Sequence, residues 1–126
     1  MQIIELYTGP DEKTHLREHS VAELAEIVSA ATGPVTVTIP NSPQQRAGGY
    51  FVDWHPAPSR HLYVICTGSS DYETEEGWRR LFPGDIVIFN DPTGKGHRIN
   101  VTDPNGRIIF GAIWAPEGPP AATGLS

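Results

Sequence analysis

Gly48-Gly49-Tyr50-Phe51-Val52-Asp53-Trp54-His55-Pro56-Ala57-Pro58-Ser59-Arg60-His61-Leu62-Tyr63-Val64-Ile65-Cys66-Thr67-Gly68 holds two histidines six residues apart. Tyr50 to His55 and His61 to Cys66 read as strands, with a Pro-rich turn between them. Side chains in a strand alternate faces, so Phe51, Asp53 and His55 are expected on one face of the first. His61, Tyr63 and Ile65 are expected on one face of the second. A third histidine, His97, opens another strand-like run after Pro92-Thr93-Gly94-Lys95-Gly96. Three imidazoles at strand ends, each beside a Gly/Pro turn, can supply a metal site inside a small barrel.

The rest of the chain fits that frame. Glycine (13) and proline (12) are abundant, which suits many short strands and tight turns in 126 residues. The chain is long enough to bury a core without a disulfide, and with Cys66 alone no intramolecular disulfide can form. A net charge of −6 argues against a nucleic acid or an anionic membrane as partner. The N-terminus has neither a basic leader nor a long apolar run, so a cytoplasmic protein is the expectation.

Gln2 to Tyr7 reads as a first strand, and Lys13 to Glu18 as a polar edge strand. Ser20 and Glu23 match a capping box, and Val21, Leu24, Ala25 and Val28 keep helical spacing. One short helix is therefore predicted over 21–31, ended by Gly33-Pro34. Val35 to Ile39 reads as a strand and Asn41 to Gly48 as a loop. A hairpin is expected around 69–77, then strands at Ile86–Phe89, His97–Val101 and Arg107–Trp114. Phe51, Tyr63, Ile88, Ile99 and Phe110 read as core or pocket wall, and Cys66 as a small buried or sheet-face residue. His15 and His19 carry no expected role. The fold class is all-β, an antiparallel sandwich or barrel with one early helix. Residues 1–114 are expected as one domain and 115–126 as a loosely held tail.

The spacing resembles the cupin family. Its first motif runs glycine, five residues, His-x-His, three or four residues, Glu, six residues, glycine. Gly49, His55, Ala57, His61 and Gly68 keep that register, with Ala57 at the second histidine and His61 at the glutamate. The second motif is matched by Gly84, Pro92-Thr93-Gly94 and His97, with a longer spacer and Val101 at the terminal asparagine. The resemblance covers residues 49–101. Asp53-Trp54-His55-Pro56-Ala57-Pro58 and Thr93-Gly94-Lys95-Gly96-His97-Arg98 look like a group of small mono-cupins.

That resemblance implies a double-stranded β-helix, a jelly-roll barrel, with His55, His61 and His97 as metal ligands. It implies a non-heme iron site first, with Zn, Mn, Ni or Cu as alternatives. The chemistry implied is that of a dioxygenase, isomerase or lyase on a small organic acid or phenolic substrate. Asp53 and Tyr63 are the expected proton carriers, and a homodimer the expected assembly. The other reading is a non-catalytic barrel that binds or senses a small ligand. Three neutral ligands leave a divalent ion its full charge, which favours an anionic substrate.

Overall fold

The computed structural model describes residues 1–29, 43–57 and 59–113. The Val35–Ile39 strand, the last turn of the expected helix, Trp114 and the tail lie outside these residues. The strands are β1 (Ile3–Thr8), β2 (Thr14–Glu18), β3 (Gln44–Arg46), β4 (Phe51–His55) and β5 (His61–Thr67). They continue as β6 (Ser70–Thr74), β7 (Gly77–Leu81), β8 (Ile86–Asn90), β9 (His97–Val101) and β10 (Arg107–Ile113). One helix, α1 (Val21–Ser29), follows β2. A six-stranded sheet runs β2-β1-β8-β5-β10-β3, and a four-stranded sheet runs β4-β9-β6-β7.

Period-two burial explains why the two sheets face each other. Ile4, Leu6, Tyr63, Ile65, Val87, Phe89 and Ile109 from one sheet meet Tyr72, Leu81 and Ile99 from the other. The result is a jelly-roll barrel with its core between the sheets. Most strand pairs are antiparallel as expected, but β1 lies parallel to β8, with Ile3 opposite Ile86 and Leu6 opposite Phe89. Asp85 fastens that arrangement: its carboxylate accepts from Gln2 N (2.7 Å), Gln2 Nε2 (3.1 Å) and Phe82 N (2.8 Å).

The capping box is formed. Glu23 N donates to Ser20 Oγ (3.1 Å), and Ser20 N donates to Glu23 Oε1 (2.7 Å). Leu24 and Ile27 of α1 pack with Ile3, Leu62, Ile86 and Ile88, closing the outer side of the six-stranded sheet. Ile88 is thus core, but beneath the helix rather than inside the barrel.

Several expectations need correction. Gln44–Arg46, within the expected 41–48 loop, pairs antiparallel with β10. Its polar residues carry no local strand signal, and the free edge of β10 supplies the pairing. Phe110 (40% exposed) is on an outer face, not in the core, whereas Phe51 (52% exposed) is a wall residue of an outer cleft it shares with Asp71, Trp78 and Arg98. Of the two places expected for Cys66, it takes the sheet face: it is exposed on β5. No helix among the described residues is long and apolar enough to cross a membrane.

Candidate metal centre

His61 and His97 are fully buried, and His55 is half-buried. His61 comes from the start of β5, in the six-stranded sheet. His55 and His97 are cross-strand partners in the four-stranded sheet, their ring centroids 4.5 Å apart. Gly96 allows that approach: it sits at φ +81°, and a Cβ there would lie 1.9 Å from the His55 carbonyl oxygen. Phe89 lies between the sheets, 4.6 Å from the His61 ring and 4.8 Å from His97.

Each imidazole is tied back through Nδ1. His55 Nδ1 donates to the Asp53 carbonyl (2.8 Å), and His61 Nδ1 donates to the Ser59 carbonyl (2.7 Å). His97 Nδ1 donates to Asp91 Oδ2 at 2.5 Å. A carbonyl oxygen only accepts, so the proton of His55 and of His61 sits on Nδ1 and the lone pair on Nε2. All three Nε2 atoms are buried without a hydrogen-bond partner. Burial holds the His55 pKa below the usual histidine value, and pushes that of His61 down to about 4. Both are therefore neutral near pH 7, the form that binds a metal.

The donor chemistry fits a metal ion. The spacing is more open: the three Nε2 atoms do not all lie within 4.8 Å of one another. Metal–nitrogen bonds near 2.1 Å would need them within about 4.2 Å, so closing on one ion requires a ring to move. His61 stacks on Phe89 (interplanar 19°), while His55 and His97 meet directly.

Asp91 is a site residue that sequence reasoning missed. It is fully buried, its Oδ2 takes both His97 Nδ1 and Thr14 Oγ1 (3.1 Å), and its Oδ1 has no partner. A buried carboxylate behind a ligand histidine fixes the ring and raises its basicity. It also sets a carboxylate directly behind the triad, so a cation held there would meet more than three neutral ligands. No motif spacing marks it; it reaches His97 across the β8–β9 loop.

Asp53 does not share a face with His55. β4 carries an extra residue between Val52 and His55, which turns His55 inward and leaves Asp53 outside. Its carboxylate accepts from Trp54 N (2.9 Å), and its contribution to the triad is the carbonyl beneath His55. Tyr63 is fully buried, its ring 5.3 Å from His61. Ala57 is buried too, and its N donates to the Asp91 carbonyl (2.9 Å).

A second group brings three ligand-type side chains within 4.8 Å: Asp11, His15 and Glu76. His15 Nε2 meets Asp11 Oδ1 (2.8 Å) while Nδ1 meets Glu76 Oε2 (2.7 Å). With a carboxylate on each ring nitrogen, the arrangement suits an imidazolium bridging two turns. The hydrogen bond to Asp11 accordingly raises the His15 pKa. His19 serves the fold: its Nε2 lies 2.7 Å from the buried Glu5 Oε1.

The low His61 pKa carries a stability prediction. Below pH 6.5 the unfolded chain protonates this histidine, while the folded chain does not until about pH 4. Its contribution is intact above pH 6.5 and is lost as pH falls towards 4, by about 3 kcal/mol at full effect. Urea unfolding from pH 7 to pH 4 should show a shallower decline for His61→Gln than for the natural chain. Equal slopes would contradict it.

The facing sheets, the Gly49 to Gly68 register and His97 at the head of β9 make this chain a small protein of the cupin fold. No family model and no curated protein matches the sequence. Among solved structures it is similar to a cupin superfamily protein from Desulfitobacterium hafniense, at 20% identity and TM-score 0.47, covering 87% of this chain and 97% of that one. It is similar to KdgF from a Halomonas species, at 21% identity and TM-score 0.44, covering 59% of this chain and 66% of that one. It is also similar to the DMSP lyase DddQ from Ruegeria pomeroyi, at 26% identity and TM-score 0.45, covering 61% and 39%. The match thus spans less than two thirds of the last two chains.

Proposed function

We propose that this chain is a metal-dependent enzyme acting on a small organic acid or phenolic compound. The observation that supports it is the set of three buried Nε2 atoms, each unpartnered and each on a ring tied back through Nδ1. A buried polar atom without a partner costs about 1–3 kcal/mol. Three of them aimed into one barrel are kept because something occupies them.

His55, His61 and His97 would hold the ion, with Asp91 orienting His97. The ion expected first is iron, then zinc, manganese, nickel or copper. When bound it would polarise a substrate oxygen, supporting dioxygenase, isomerase or lyase chemistry. Tyr63 borders His61 and is the candidate to donate or accept a proton. Phe89, Ile99 and Tyr72 keep the interior apolar and exclude water. Asp53 is not proposed as a proton carrier, because its carboxylate lies outside.

The wide Nε2 spacing and Ala57 favour a second reading, a barrel that binds a small ligand without metal. Elemental analysis of untagged protein, purified without chelator and then reconstituted with each ion, separates the two. About one ion per chain supports the enzyme reading. No retained metal under any condition removes it and favours the second. A homodimer is the expected assembly, and a solution mass of one chain, 13.7 kDa, would rule it out.

A further inference from the structure

Four described arginines have a carboxylate beside them: Arg17 with Glu5, Arg79 with Glu18, Arg80 with Asp71 and Arg98 with Glu73. Arg107 and Arg46 have none among the described residues. They stand directly opposite each other on β10 and β3, so both side chains leave the same face. That face is the barrel interior, since Ile109 and Gln44, the next pair on it, are both buried. Arg107 is only 2% exposed, yet its Nε and Nη1 have no partner. Arg46 Nε and Gln44 Oε1 are buried and unpartnered as well. Arg46 Nη1 donates to the Gln45 carbonyl (3.2 Å), and its Cζ lies 5.0 Å from the Tyr50 ring centroid.

Two like charges opposed across a strand pair repel, and a buried guanidinium without a counter-charge is costly. In a chain with 15 acidic and 9 basic residues, carboxylates were available to neutralise them. The N–H groups left without an acceptor, Arg107 Nε and Nη1 and Arg46 Nε, are those a guanidinium fork uses to bind an oxyanion. Tyr63 connects this pair to the triad: its ring centroid lies 5.8 Å from Arg107 Cζ and 5.3 Å from the His61 ring.

We infer that Arg107 and Arg46 form an anion-binding site on the inner face of β10 and β3, taking the carboxylate of a small organic acid. The inference rests on the proposed function only in placing the other end of that molecule at the histidines. Phosphate offers similar oxygens, so the test uses succinate and inorganic phosphate as separate probes.

Calorimetric titration is run on EDTA-dialysed protein, so that binding does not depend on metal. Succinate should give a saturable isotherm, weakened tenfold or more in Arg107→Gln and partly restored in Arg107→Lys. Without ligand, Arg107→Met should melt above the natural chain, because an unpaired buried charge is gone. If Arg107→Gln does not fold, Arg46→Gln carries the same expectation. Succinate binding that Arg107→Gln and Arg46→Gln leave unchanged would overturn the site, as would no binding of either probe. Phosphate binding without succinate binding would overturn the carboxylate assignment. A chain that binds succinate through these arginines but retains no metal keeps this inference and loses the metal reading.

Discussion

His97→Ala should weaken metal binding more than a hundredfold. His97 is the fully buried imidazole at the centre of the candidate site: it meets His55 at 4.5 Å and is held by Asp91 at 2.5 Å. Loss of a residue behind a ligand typically costs 10–100-fold in metal affinity, and loss of a ligand costs more. Asp91→Asn keeps the shape and removes only the charge behind the ring, so it should fall in that 10–100-fold range. Equilibrium dialysis against zinc checks both. His97→Gln, closer in volume, guards against a cavity effect in the alanine variant. Unchanged affinity in His97→Ala and His97→Gln would remove this residue from the site.

Phe89→Ala should destabilise the barrel by about 3–5 kcal/mol, the range for emptying a buried aromatic site. Phe89 has no exposed surface and meets four rings: His61 (4.6 Å), His97 (4.8 Å), Tyr63 (4.9 Å) and Tyr72 (6.0 Å). It belongs to the core cluster and touches both His61 and His97. All four of those rings are themselves fully buried, so little around them can collapse into the gap. Denaturant unfolding measures the loss, and a cost below about 1 kcal/mol would show that the interior repacks.

Much of the barrel was legible because its signals are local. Period-two runs set β5, β8 and β9, and the Ser20–Glu23 pair set the start of the helix. The register from Gly49 to Gly68 put His55 and His61 at strand ends. What was not legible depends on contacts that no local pattern marks. The extra residue in β4 is visible only against β9, and without it strict alternation puts Asp53 on the face of His55. Asp91 meets His97 through a loop whose path has no sequence signature. β3 exists because β10 offers an edge, and only that pairing sets Arg46 opposite Arg107. The parallel placement of β1 beside β8 likewise depends on Asp85 meeting Gln2 across 83 positions.

If the three buried Nε2 atoms share one divalent ion, anomalous diffraction from a crystal grown with zinc should show one strong peak bounded by His55, His61 and His97. The His61 ring should then be turned from its stack on Phe89. A peak at Asp11, His15 and Glu76 with none between the histidines, or no peak at all, would contradict a shared ion.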